Sequence, residues 1–491
     1  MEVVPTVIAL GAFTPATREA LRALDAVLGP EGRAWVVGGA LRDALLGRAA
    51  GDLDVAVPAG ALELGRVLAD RLGAAFVPLD AGRGVCRVVG DVQVDIADFR
   101  APDLAQDLRG RDFTVNALAV PVRSLVARGS ASVEDPTGGR ADLGARRIRL
   151  CGPRSLADDP VRALRVARLA VEPGWSLDPG VGPAVIEVAP ALHSASAERV
   201  RDELIAILSE PAAGWGLRLL DGLDVLGVVF PERLAMRRTQ QPAPHRFDVW
   251  EHSLRAVEAM DEIEAHLDRL APWGQELRDH LAEGLGDGLT RAAALKLAAL
   301  LHDVAKPETR AVLAGRIRFI GHDSRGAEHA RAIAERLRLS GRAAGVLARL
   351  VGHHLRPMHL ALSGGITRRA RYRFFRDLGH EARDLLLLAL ADAAAVRGEA
   401  PFDVWAGADG AVVRSLMEGA PEDERSLVAP PLLRGEEVME ALHLTPGPEV
   451  GRLLALAREA QALGLVSTRE EALAHLRQAG PPALDTRAGD P

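Results

Sequence analysis

The stretch "VVGGALRDALLGRAAGDLDVAV", residues 36–57, constrains this chain more than any other. An apolar strand signal runs into a glycine pair, a helix signal follows, and a second strand signal closes the frame. On that second strand Asp52 and Asp54 share a face, while Leu53 between them points to the core. Two carboxylates this close repel one another unless a cation lies between them. Mg²⁺ is the natural occupant, because hard oxygen ligands suit it. Gly38 and Gly39 let backbone amides approach a triphosphate ahead of a helix start, and Arg42 stands one turn further in.

Two later segments extend this chemistry. "GVCRVVG" and "VQVDIADFR" predict a β-hairpin turning at Gly90-Asp91, with Asp95 available as a third carboxylate. Three carboxylates can hold two metals about 3.5–4 Å apart for in-line phosphoryl displacement. "LADDPVRALRVARLA" places Asp159, Arg162, Arg165 and Arg168 at three-residue steps along a predicted helix. An aspartate accepts from an exocyclic amino group and an arginine donates to a ring nitrogen or carbonyl. Such a pair fits cytosine and adenine, but meets uracil and guanine donor to donor. The other arginines suit phosphates. Each motif alone also fits a blander reading: a solvated strand edge for the first, an ion-paired helix for the second.

The surrounding pattern supplies the organisation. Thr14 caps a predicted helix that has Pro15 in its first turn and Leu21, Leu24 and Leu28 on one face, stopped by Gly29-Pro30. "AWVV" and "DLDVAV" read as strands, and helix is expected again from "DFTVNALAV". Residues 1–150 thus predict a small α/β domain. From about residue 155 the pattern is helical almost without pause, as in "ERVRDELIAILSE". The polar, proline-bearing "MRRTQQPAPH" at 236–245 is the expected linker to a second helical block at 246–400. A shorter block at 401–478 precedes a tail, 479–491, expected to be disordered.

The net charge of −7 requires any nucleic-acid contact to use a local basic patch. Cys86 and Cys151 are too few for a disulfide framework and suit a reducing compartment. No basic-start leader or run of about 18 apolar residues is present, so a cytoplasmic protein without a membrane partner is expected.

With both constellations in place, the chain resembles the class II tRNA nucleotidyltransferase and poly(A) polymerase family. "GGALRDALLG" with "DLD" is similar to the family's metal and triphosphate motif, "RDFTVNALAV" (111–120) to its second and "DPTGGRADLGARRIR" (135–149) to its third. "DDPVRALRVAR" (158–168) resembles the motif whose amino acids act as template, and "ERVRDEL" and "VFPE" resemble the neck and body helices.

The resemblance implies an α+β nucleotidyltransferase head of the polymerase β type, with a small mixed sheet, followed by an all-α neck and body at 151–235. It implies that Asp52 and Asp54 bind Mg²⁺, with Asp95 as third carboxylate, and that Gly39, Arg42 and Arg111 hold the triphosphate. Asp112 and Asn116 would shape the sugar site, Asp159 and Arg162 would read the base, and Arg165 and Arg168 would support the nucleotide. The implied substrates are CTP, ATP and the 3′ end of tRNA.

Three positions depart from the family pattern. Gly110 stands where a second arginine is usual, and Asp158 replaces a glutamate. Only a short stretch separates Arg100 from Arg109, where relatives that add all of CCA often carry a longer basic loop. Short-loop relatives include enzymes that add only CC. Poly(A) polymerase activity is the further alternative within the fold.

The second half carries His252, His302-Asp303, His322, His353-His354 and Asp392, each on or beside an apolar helix. Imidazole and carboxylate together suit divalent metals. The order resembles the HD superfamily of metal-dependent phosphohydrolases over about 245–400. The resemblance implies an all-α domain with His252, His302, Asp303 and Asp392 as main ligands of Mg, Mn, Ni, Co or Fe. His322, His353 and His354 would add a second metal. A 2′,3′-cyclic phosphate or a phosphate on a damaged tRNA end is the expected substrate. The block at 401–478 resembles the helical extension of HD-bearing relatives and is expected to pack on the HD bundle. The oligomeric state is left open.

Overall fold

The computed structural model describes residues 4–48, 52–171, 174–362 and 366–479, so the tail beyond 479 lies outside the described residues. The chain forms two compact units, Met1–Pro231 and Glu232–Pro491.

The first unit is built on a six-stranded mixed sheet. Its strands are β1 (Trp35–Val37), β2 (Leu53–Val57), β3 (Ala75–Asp80), β4 (Val85–Val89), β5 (Gln93–Asp98) and β6 (Ala119–Pro121). They lie in the order β3-β4-β5-β2-β1-β6. Only β2 and β5 pair in parallel. Alternation sorts the side chains: Leu53, Val55, Cys86 and Val88 are buried on one face, and Asp54, Arg87 and Asp95 take the other. The helix Ala61–Leu72 covers the apolar face so closely that a Cβ at Gly65 would lie 2.4 Å from Cys86 Sγ. The helix Pro15–Val27 packs beside it, capped by the Thr14 side chain as its sequence predicts.

One expectation fails here. "DFTVNALAV" forms a single 3₁₀ turn at Thr114–Asn116 and then β6, not a helix. The segment from Phe113 to Val122 is almost wholly buried, and its end pairs with β1. Sheet pairing of the Val120-Pro121 end outweighs local helix preference.

The 135–149 motif is a structural latch. Asp135 accepts from the N–H groups of Gly139 and Arg140 at 2.8 and 3.0 Å, starting the short helix Gly139–Gly144. Asp142, fully buried, accepts from Thr114 Oγ1 at 2.7 Å, Arg147 Nε at 2.8 Å and Arg149 Nε at 2.8 Å. Burial works against its ionisation, yet Arg149, Thr114 and Arg147 hold its carboxyl below the usual range. Asp142→Asn should therefore destabilise the first unit by about 2–4 kcal/mol, measured by urea unfolding at pH 7. The difference should shrink as acid protonates the wild-type carboxylate through its depressed pKa. An unchanged midpoint at pH 7 contradicts the latch.

The rest of the first unit is mostly helical, including Arg162–Ala170 and Ala197–Leu208, with two small strand pairs, Val7–Ala9 with Ser130–Ser132 and Arg147–Ile148 with Ser176–Leu177. The second unit is a bundle containing Val249–Ala265, Arg291–Leu301, His322–Arg336, Gly341–His353 and Ala382–Arg397. It also carries two hairpins that helical periodicity did not signal, Gly284–Gly286 with Leu289–Thr290 and Arg310–Leu313 with Arg316–Phe319. Their turns, Asp287-Gly288 and Ala314-Gly315, have positive φ at both residues, which suits tight hairpins.

The expected linker begins inside the helix Arg233–Arg237 and continues as irregular chain tied to the bundle by Gln241. The C-terminal helices Gly435–Leu442, Pro448–Ala462 and Arg469–Ala479 share a small core around Val438, Leu453 and Ala472. Buried Glu459 ties them to Arg373 on the helix Arg368–Leu378 at 2.7 and 2.9 Å, so the extension packs on the bundle.

Candidate active site and metal centre

One row across the sheet gathers the charged groups of the first unit. Arg87 on β4 pairs with Asp95 on β5, Asp95 with Asp54 on β2, and Asp54 with Val37 at the end of β1. Asp52 stands exposed just ahead of β2. Beyond Val37 the chain turns at once into the helix Gly38–Leu45. Gly38 has φ +69°, and a Cβ there would lie 2.5 Å from Asp54 Oδ2, so the close approach needs glycine.

Burial raises the Asp54 pKa and Asp95 adds repulsion, against the lowering effects of Arg111, the Gly39 N–H and Arg165. Asp52, although its side chain is exposed, is raised too, by partial desolvation from the surrounding protein and then by Asp95, with Arg87 opposing. Two carboxyls pushed up in this way fit a site that takes a divalent cation.

The predicted phosphate and sugar residues form a connected chain. Arg42 pairs with Asp43 at 2.9 Å and donates from Nη1 to Asn116 Oδ1 at 2.8 Å. Asn116 Nδ2 reaches Asp112 Oδ1 at 3.4 Å, and Asp112 Oδ2 accepts from Arg165 Nη1 at 3.0 Å. Arg165 also donates to Glu203, and Arg168 lies 3.7 Å from Glu203 Oε2. Burial works against a charged Asp112, but Arg165 and the Phe113 N–H bring its pKa below the ordinary value. Arg111 contacts Asp107 at 3.3 Å.

The reading pair is arranged differently from a ridge on one helix. The helix starts at Arg162, with Asp159 in the turn before it, 3.7 Å from the Arg162 guanidinium. Pro160, which suits a helix entrance, separates them. Arg162 is buried and donates to the carbonyls of Gly110 at 3.0 Å and Ser155 at 2.8 Å. Gly110, where an arginine was expected, thus serves as an anchor. Asp159 accepts from Arg199 at 2.7 Å.

Two cavities meet at the acidic row. One of about 350 Å³ is lined by Asp54, Asp95, Arg100, Arg111, Asp112 and Arg162. The other, about 720 Å³, is lined by Gly39, Arg42, Asp52, Arg87, Arg168 and Trp175, and also by Asp54 and Asp95.

The second unit brings together all but one of its predicted ligands. His252 Nε2 and His302 Nε2 lie 3.1 Å apart, with Asp392 Oδ1 at 3.0 and 3.6 Å from them. His322 Nε2 and His354 Nε2 lie 3.2 Å apart, with Asp303 Oδ1 at 3.4 and 3.6 Å. Asp303 joins the two groups, its Oδ2 standing 3.2 Å from His302. His353, the last residue of its helix, belongs to neither group.

The Nδ1 atoms of His302, His322 and His354 face the carbonyls of Ala299, Phe319 and Val351 at 2.6–2.8 Å. A proton on Nδ1 leaves the Nε2 lone pair pointing into the cluster. Converging lone pairs and carboxylates are a donor set for divalent metals, so these residues fit the ions that the family implies. Burial acts to lower the His302 pKa, but Asp303 and Asp392 raise it to about 10. Burial opposes ionisation of both carboxyls, yet His302 and Lys306 hold Asp303, and His252 and His302 hold Asp392, well below the usual range.

Sequence reading missed several participants. Arg87 was legible from alternation on β4, once the hairpin was placed. Lys306, 2.5 Å from Asp303 Oδ2 and donating to Gln241, follows the HD pair by one helical turn. His245, brought down to about 4 first by burial and then by Lys306, stacks edge-on near His252. Glu203 gave no local signal, because its role comes only from helix packing. A third group, His280, Glu283 and His380, already has the Arg291 guanidinium between Glu283 and Asp384.

Comparison with known proteins follows the same division. Residues 34–149 match the family model of the poly(A) polymerase head domain, and 174–236 a probable RNA- and SrmB-binding site of polymerase A. Residues 249–395 match the HD domain. An A-adding tRNA nucleotidyltransferase of Deinococcus radiodurans is 37% identical over 91% of this chain and 96% of its own length. A CC-adding tRNA nucleotidyltransferase of Thermus thermophilus is 36% identical over 90% and 93%. The solved Thermotoga maritima CCA-adding enzyme complexed with tRNA shares the fold, with a TM-score of 0.58 at 20% identity over 97% of this chain and 99% of that one.

Proposed function

The chain belongs to the tRNA nucleotidyltransferase family, and we propose that it adds part of the CCA sequence, C from CTP or A from ATP, to the 3′ end of tRNA. The observation that carries this reading is the acidic row of Asp54 and Asp95, joined by Asp52, which borders the glycine turn and lines a cavity together with Arg162. In the reaction the terminal hydroxyl attacks the α-phosphorus, the bond to the bridging oxygen breaks, and pyrophosphate leaves. Asp52 and Asp54, with Asp95, would hold Mg²⁺, which supplies charge neutralisation and an acidified hydroxyl when bound.

The chain's own groups do the positioning. Gly39, Arg42 and Arg111 bind the triphosphate, and Asn116 and Asp112 orient Arg42 and Arg165 from behind. Asp159 and Arg162 accept cytosine or adenine and disfavour uracil and guanine. That pair does not separate CTP from ATP, and the Deinococcus radiodurans and Thermus thermophilus relatives differ on that point, one A-adding and the other CC-adding.

Partial addition is favoured by the segment after β5. It is a short capped helix, Leu104–Arg109, with Asp103 accepting from Gln106 N at 2.8 Å and Asp107 from Arg100 N at 2.9 Å. A tied-down segment of this length offers no long flexible loop for switching between nucleotides.

For the second unit the reading is a divalent-metal phosphohydrolase acting on RNA ends. Its ligands would be His252, His302, Asp303, Asp392, His322 and His354, and the metals supply Lewis-acid polarisation of the phosphoester when bound. Lys306 is placed to neutralise negative charge beside Asp303.

Extension of tRNA transcripts ending at the discriminator base, at C or at CC, with Mg²⁺ and CTP, ATP or both, tests the proposal. Addition confined to the CC step or to the final A is expected. Complete CCA, or a long A ladder, contradicts partial addition.

A further inference from the structure

The acidic row has two unlike ends. On one side of Asp54 lie the end of β1, the glycine turn and Arg42. On the other side lie Asp95 and then Arg87, one strand further out. Arg87 Nε and Nη2 are fixed on Asp95 Oδ1 and Oδ2 at 2.8 and 2.9 Å. Its Nη1 has no hydrogen-bond partner among the described residues. The side chain is about one-third exposed and lines the larger cavity.

In-line displacement requires the attacking oxygen to approach opposite the leaving group. If pyrophosphate leaves over the glycine turn and Arg42, the attacking hydroxyl arrives from the side of Asp95 and Arg87. The last internucleotide phosphate of the RNA lies one nucleotide behind that hydroxyl. We propose that Arg87 binds this phosphate, with Asp95 orienting the guanidinium and Nη1 donating to the phosphate. This rests on the nucleotidyl-transfer reading of the row. It assigns the RNA end to the β4 side of the cavity, and gives Arg87 a role as an RNA-positioning residue. A guanidinium already aligned by a carboxylate loses little freedom when it takes up a phosphate.

The test uses full-length protein and tRNA transcripts carrying either a natural phosphate or an uncharged methylphosphonate at the last internucleotide linkage. Arg87→Ala should raise the KM for tRNA about tenfold, with the KM for CTP and ATP unchanged, as loss of one charge-assisted contact predicts. The methylphosphonate should cost the wild type a similar factor and Arg87→Ala nothing further. Direct tRNA binding in EDTA should show a salt slope lower by about 0.7–0.9 in the variant, as loss of one phosphate contact requires. Arg87→Gln provides the same readout should the alanine variant fold poorly, and Arg87→Lys should restore part of the affinity. A raised nucleotide KM, or methylphosphonate and variant losses that multiply, would overturn the assignment while leaving nucleotidyl transfer intact. Failure of the wild type to extend natural tRNA would overturn both.

Discussion

Asp54→Asn should reduce single-turnover nucleotide addition by at least about a thousandfold without costing the fold any stability. The loss follows from its position: Asp54 sits between Asp95 and the glycine turn, in the row that would hold Mg²⁺. The retained stability follows from its raised pKa. A carboxyl whose folded pKa lies above its unfolded value is favoured by folding in its neutral form. Its ionisation therefore destabilises the protein increasingly as pH rises from the unfolded pKa through the folded one, and the cost persists above it. At pH 7 without divalent ions, asparagine removes that cost. Rapid-quench kinetics and calorimetric melting in EDTA check both halves. A variant that keeps a tenth of the rate, or melts well below the wild type, contradicts the assignment.

Asp303→Asn should empty the second unit of metal and weaken it. Asp303 stands between the two imidazole groups and carries the Lys306 contact, with both side chains buried. Removing its charge leaves the Lys306 ammonium buried without its carboxylate, a change that costs about 3–5 kcal/mol. Because the folded Asp303 pKa is depressed, its contribution is present above the unfolded value and disappears as pH falls through the folded one. The metal-free variant should therefore have a flatter acid limb than the metal-free wild type. Elemental analysis should find metal in the wild type and none in the variant, and hydrolysis of a 2′,3′-cyclic phosphate should vanish. Addition to tRNA should stay within about threefold. Full metal content in the variant contradicts the ligand assignment.

These predictions rest unequally on sequence. The glycine pair and the strand carrying Asp54 were legible because each depends on local spacing, and the candidate HD residues because their order along the chain resembles that superfamily. Asp95 was legible as a third carboxylate beside Asp52 and Asp54, but its register directly opposite Asp54 was not, since parallel pairing of β2 with β5 is a non-local fact. The arginines at 162, 165 and 168 read as a ladder, yet folding gives each a different environment. Arg162 is anchored to backbone carbonyls, Arg165 links Asp112 to Glu203, and Arg168 stands further from the same glutamate. Glu203 comes from a helix that sequence placed correctly but could not dock. The strand at Ala119–Pro121 was misread as helix because burial of a whole segment erases the periodicity that separates the two.

The acidic row, the glycine turn and the base-reading pair serve one event, transfer of a nucleotide to the terminal hydroxyl of tRNA. It is tested most directly by offering wild-type protein α-labelled CTP and ATP with tRNAs trimmed to each possible 3′ end. Each tRNA is supplied intact or with its terminal diol oxidised by periodate, in Mg²⁺ or EDTA. Label is expected at the 3′ terminus of intact tRNA only, with pyrophosphate released in equal amount, and none in EDTA or after oxidation. Label that survives periodate treatment, or no incorporation into any trimmed tRNA, would contradict it.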